Sequence, residues 1–201
     1  MQTPVAIHPW PAGLPQALAD LRGSTGLTVI SVPTEQTGSR PQARKAIRHA
    51  LQGTVAAWLG QPLSAVTLLS SPGQPVRVQA PGAPVWVAIS HMSGLSVAAI
   101  CSRGSVGVDV MNSPPPHLPD WAAVARDYLG PRITDALHRT PPADRPAAFA
   151  QAWTELEARL KYASFGLAEW SPARDQCLAT CQLWPLLMPS GGWGTLALGA
   201  I

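Results

Sequence analysis

Three short stretches hold the residue types that chemistry needs. GVDV, residues 107–110, is an apolar strand pattern with a single carboxylate, Asp109. Strand alternation puts Gly107, Asp109 and Met111 on one face and Val108 and Val110 on the other. An aspartate ahead of a turn often bonds local backbone amides. The space expected beside Gly107 suits a metal or phosphate instead, and both readings stay open. ISHMSG, residues 89–94, ends an apolar strand in Ser90 and His91. Neighbouring strand residues face opposite ways, so this pair is no hydrolytic dyad, and a lone histidine is more often structural than catalytic. WTELEARLK, residues 153–161, reads as a helix. At about 100° per residue, Phe149, Trp153, Leu156 and Leu160 form its core stripe. Glu157 and Lys161 lie one turn apart along the edge, while Glu155 and Arg159 point to water. Taken alone, a Glu followed four residues later by Lys reads as a surface ion pair.

These residues need elements to position them. LTVISVP (27–33) reads as a strand. A helix over about 41–59 carries Ala43, Ile47, Ala50, Leu51, Val55 and Trp58 at helical spacing and stops at Gly60. SAVTLLSS (64–71) and PVWVAIS (84–90) read as strands, and GQPVRVQA (73–80) as a turn that continues extended. LSVAAIC (95–101) is expected to pair with VGVDVM (106–111) through the SRGS turn. PPPHLP (114–119) breaks the pattern. Helices follow at about 119–129, 131–139 and 144–164, and CLATCQLWPLL and GTLALGAI read as closing strands. No regular βαβ alternation and no sequence repeat is present, so the class is α+β.

The chain has 201 residues, 46% of them apolar and 12% charged, with 22 prolines and 17 glycines. This is a globular composition with room for one large domain or two small halves sharing a core. A net charge of +3 without clustered basic runs argues against nucleic acid as partner. The one basic cluster is RPQARKAIRHA, residues 40–50. No run approaches the roughly 20 apolar residues of a membrane span, and the start MQTPVAIHPWPAG lacks a signal-peptide pattern. Three cysteines (Cys101, Cys177, Cys181) form no framework, which suggests a reducing cytoplasm, and no zinc pattern accompanies them.

GQP, ISHMSG, VGVDV and WTELEARLKYASFGL, in this order and at these separations, resemble the 4′-phosphopantetheinyl transferases of the Sfp type. RKAIRHAL is similar to that family's early arginine-bearing helix, and the resemblance spans roughly residues 40 to 170. It implies an α+β fold of two similar halves with pseudo-twofold symmetry, here 1–105 on the coenzyme A side and 106–201 with the metal and catalytic helix, around a shared cleft. It also implies transfer of the phosphopantetheine arm of coenzyme A to a serine of an acyl or peptidyl carrier protein, by a cytoplasmic monomer. By the same alignment Asp109 and Glu157 would hold Mg²⁺, and Glu157 would also help deprotonate the serine. Lys161 would neutralise phosphate, and Arg44, Ser90 and His91 would contact the 3′-phosphate and ribose side of coenzyme A.

The sequence departs from the family pattern at three positions. Met111 stands where most bacterial members carry a second acid, and Gln74 and Leu156 stand where lysines are usual. A thioether is a poor ligand for hard Mg²⁺, though a water can fill that position. Each lost charge in a sheltered site is expected to remove about 1–3 kcal/mol of phosphate interaction. The alternative is therefore a transferase-like protein that binds coenzyme A or a carrier protein without this activity, or runs different chemistry in the same cleft.

Overall fold

A computed structural model describes residues 3–35, 39–71, 74–82, 84–112, 120–189 and 191–199. The proline-rich segment at 114–119 lies outside the described residues. The fold is mixed α+β. Its first sheet is built from β1 (His8–Pro9), β2 (Leu27–Pro33), β5 (Trp86–Met92) and β6 (Leu95–Cys101), in the order β1-β2-β6-β5. The second is built from β7 (Val106–Met111), β8 (Gln182–Pro185) and β9 (Trp193–Leu198), in the order β7-β9-β8. A small hairpin, β3 (Thr67–Leu69) with β4 (Arg77–Gln79), stands apart.

Side-chain alternation decides what covers each face. In β6, Val97 and Ala99 face the second sheet and meet Val108, Val110 and Leu196 in a shared core. The intervening Ala98 and Ile100 face the other way, against α1 (Leu14–Arg22) and α2 (Arg40–Leu59), where Ile47, Leu51 and Val55 are fully buried. Each such aliphatic side chain contributes about 1.5–3 kcal/mol of burial. Gly60 ends α2 at φ 63°, a left-handed cap that glycine adopts without strain.

The expected β6–β7 hairpin is not formed. β6 already pairs with β2 on one side and β5 on the other, so it has no free edge. Residues 102–105 instead carry the chain from one sheet to the other. β7 lies beside β5 at the edge of its own sheet, packed against it without ladder pairing. The N-terminal segment also crosses between sheets, since Val5 and Leu186 form an isolated bridge beside β8.

Two helices replace expected irregular or extended chain. α1 was invisible to the strand–helix pattern because its buried face is only Ala17 and Leu21. Residues 172–178 form α6 (Pro172–Leu178), so the strand expected from Cys177 begins only at Gln182. Ser171 accepts a hydrogen bond from Arg174 N at the helix N-terminus, with Pro172 in the first turn. Cys177 is therefore helical, and all three cysteines are free. The middle of the chain holds α3 (Trp121–Val124), a π-helical turn (Ala125–Leu129), α4 (Gly130–Arg139) and α5 (Arg145–Ala163). Among the described residues no helix is long and apolar enough to cross a membrane.

α5 lies directly on β7 and β9. Its approach requires Gly107, where a Cβ would run into the Ala158 carbonyl oxygen and stand 2.6 Å from Tyr162 N. The space beside Gly107 is thus filled by helix backbone rather than left open for a ligand. Thr154, fully buried, bonds Thr195 of β9 at 3.0 Å and fixes the helix against the same sheet. Gly107→Ala should cost about 3 kcal/mol by pushing α5 off β7. Urea denaturation checks this, and an unchanged midpoint contradicts the close approach.

Candidate active site

Asp109 sits where β5, β7 and α5 meet, only 7% exposed. A buried carboxylate must be paired, because desolvation otherwise penalises the charge. Its Oδ1 accepts hydrogen bonds from Ser90 Oγ at 2.7 Å and from Lys161 Nζ at 2.7 Å. Lys161 Nζ also donates to the Val108 carbonyl at 2.9 Å. The helix-edge pair read as a surface bridge is not one: Lys161 turns from Glu157 to the β7 strand end. Among the described residues Glu157 makes no salt bridge.

Glu157 is half-buried, and burial is the first cause that raises its pKa above the usual 4.5. The nearby Asp109 charge raises it further, and Lys161 partly offsets the rise. Two carboxylates that press on each other's charge are a donor set that a cation relieves. No group of three acidic, histidine or cysteine ligands occurs among the described residues. Mg²⁺ does not need one, since it is commonly held by one or two carboxylates with waters and substrate phosphates. The residues present therefore fit such an ion. Met111, half-buried, ends β7 on the Asp109 face, opposite Trp193 of β9.

Alternation in β5 sends Ser90 and His91 to different neighbourhoods. Ser90 faces β7, is 5% exposed, and accepts from Val110 N at 3.3 Å while donating to Asp109. Its hydroxyl is thus engaged in the protein interior, away from the nucleotide contact expected for it. His91 faces α2, and its Nδ1 pairs with Ser96 Oγ at 2.8 Å. Burial lowers its pKa from 6.5, and the positive charges of Arg44, Lys161, Arg40 and Arg48 lower it further, in that order. His91 therefore feels the charges of both the basic turns of α2 and the Lys161 ammonium. Arg44 is exposed on α2 and lines a groove with Lys45, Arg48 and His49.

Lys161 borders a cleft of about 430 Å³ between the β4–β5 region and the end of α5. Gln74, Arg77, Trp86 and Tyr162 line the same cleft. Arg77 escaped the sequence reading. Its signal is the VRV alternation in β4, which buries Val78 in the helix-side core and leaves Arg77 exposed. A cation thus lines the cleft three residues from the neutral Gln74. Leu156 faces another way: it packs with Phe149 and Trp153, and lines a separate cavity with Ile133 and Trp170. Its neutrality removes nothing from the Asp109 side of the helix.

Because native His91 binds a proton less readily than the unfolded chain does, stability should fall as pH drops below 6.5. His91→Gln should lose less stability than the wild type between pH 7 and pH 5 in urea titrations. Parallel losses contradict the lowered value.

No curated protein matches the chain. Residues 105–187 match the family model described as the 4′-phosphopantetheinyl transferase superfamily. That segment contains Asp109, Glu157 and Lys161, so both carboxylates and the ammonium lie within the stretch that is similar to that superfamily.

Proposed function

We propose that the protein is an Sfp-type enzyme that transfers the 4′-phosphopantetheine arm of coenzyme A to a serine of an acyl or peptidyl carrier protein, with Mg²⁺. The observation that carries this reading is Lys161 on the buried Asp109, with the half-buried Glu157 within reach of both charges, inside the matched segment. The halves 1–105 and 106–201 fit the reading, because each sheet turns one face to the shared core and covers the other with one long helix, α2 or α5. An approximate twofold relation between them belongs to the same proposal.

Charge supports the placement of coenzyme A. The charges of Arg44, Arg40 and Arg48 on α2 and of Lys161 all act on His91. A polyanion with a phosphate at each end suits cations gathered around one residue in this way. The 3′-phosphate is assigned to Arg44 and His91, and the pyrophosphate to Lys161, with Arg77 lining the cleft alongside.

In the reaction, the carrier serine oxygen bonds to the pantetheine-bearing phosphorus. The bond from that phosphorus to the bridging oxygen breaks, and 3′,5′-adenosine bisphosphate leaves. The serine proton passes to Glu157, directly or through a water, and a raised pKa makes Glu157 a better acceptor near neutral pH. Lys161 offsets charge on the phosphate oxygens. Asp109 and Glu157 would hold Mg²⁺, which when bound supplies charge neutralisation across the pyrophosphate. The neutral Gln74 and Met111 favour the second reading, a coenzyme A- or carrier-binding protein without transfer.

Intact-mass spectrometry of apo-carrier proteins incubated with coenzyme A, Mg²⁺ and the enzyme should register a phosphopantetheine gain. Asp109→Ala and Glu157→Ala should abolish it, and Met111→Glu should lower the Mg²⁺ needed for half-maximal rate. Absence of any gain at every Mg²⁺ concentration selects the second reading. In calorimetry, Arg44→Ala should weaken coenzyme A more than dephospho-coenzyme A, which lacks the 3′-phosphate. Equal losses rule out that placement.

A further inference from the structure

We propose that Ser90 is a positioning residue that divides the Asp109 carboxylate into two ends, with Oδ1 held by the protein and Oδ2 presented to a hard divalent cation. The inference rests on the cation assigned to Asp109 above and adds a residue to that site. Ser90 and Asp109 come from different sheets and are 5% and 7% exposed. The Ser90 hydroxyl has one proton. Its oxygen accepts the Val110 backbone N–H at 3.3 Å, which directs that proton outward to Asp109 Oδ1 at 2.7 Å.

Lys161 Nζ reaches the same oxygen at 2.7 Å, so Oδ1 accepts two donors. Among the described residues nothing donates to Oδ2. The two donors act differently. Lys161 is a mobile ammonium with three protons and can follow either oxygen or a phosphate. Ser90 is anchored by the Val110 amide and fixes which oxygen faces inward. Losing it would free the carboxylate to rotate and let Lys161 cap the oxygen that a cation needs. Groups that orient a metal ligand in this way commonly change metal affinity by about 10- to 100-fold.

The test uses the full chain and two independent titrations. Mn²⁺ binding is followed by electron paramagnetic resonance with saturating coenzyme A, and coenzyme A binding is followed by calorimetry in chelator without metal. Ser90→Ala should weaken Mn²⁺ about tenfold and leave metal-free coenzyme A affinity unchanged. Ser90→Thr, which keeps the hydroxyl, should restore Mn²⁺ binding. Ser90→Cys, a weaker donor of similar size, should fall between, and it decides the matter if the alanine variant does not fold. Unchanged Mn²⁺ affinity in the alanine or cysteine variant overturns the proposal. So does a matching loss of metal-free coenzyme A affinity, which would make Ser90 a nucleotide contact, or a wild type that takes up no Mn²⁺. A wild type that binds Mn²⁺ with this Ser90 dependence yet modifies no carrier sustains the inference and sinks the transfer reading.

Discussion

A carboxylate buried at a three-way junction must be neutralised, and the arrangement of β5, β7 and α5 meets that demand at Asp109. Lys161 reaches it only because α5 runs close against β7, and α5 runs that close only because residue 107 has no side chain. Ser90 reaches it only because β5 and β7 are both edge strands laid side by side. Backbone packing and charge pairing are therefore not separable here. A buried pair of this kind adds little net stability, but removing one partner leaves an uncompensated charge and is strongly destabilising. The pairing thus constrains where the second sheet can sit on the first.

The Lys161 charge at this junction also acts on two further titratable groups. Burial, and then the Asp109 charge, raise the pKa of the half-buried Glu157. His91, on the other face of β5, is biased toward losing a proton by burial and by four cations. The two shifts run in opposite directions, and Lys161 is a cause common to both. The basic turns of α2 act on the same histidine, and Arg77 of the β3–β4 hairpin lines the cleft that Lys161 borders.

The residues of α5 and of GVDV were legible because their signal is local. The spacing of Glu157 and Lys161 on one helix edge and the single carboxylate in an apolar strand both follow from short-range periodicity. The strands at 27–33, 95–101 and 106–111 were legible for the same reason, and their bounds match the structure. What failed was pairing. The SRGS turn suggested a hairpin, but β6 is saturated on both edges, and only knowledge of its long-range partner β2 would reveal that. The Ser90 contact with Asp109 depends on that same crossing between sheets. Leu156 was misjudged as a lost phosphate charge because the family pattern marks a position without marking the direction its side chain takes. Arg77 was missed because, although its segment reads as extended, only the fold brings that segment to the cleft that Lys161 borders.

The β5–β6 hairpin closes through Ser93 and Gly94, with Gly94 at φ 82°. That two-residue turn sets which β5 side chains look toward β7 and which look toward α2. Ser90 and His91 are adjacent in the chain yet serve opposite sides of the sheet, so their division of labour is encoded in the length of a turn outside the site. Adding or deleting one residue there would exchange the two: an imidazole would be delivered to the carboxylate and a hydroxyl to the arginines. The register that this turn sets therefore decides which side chain the carboxylate meets, although the turn itself lies outside the site.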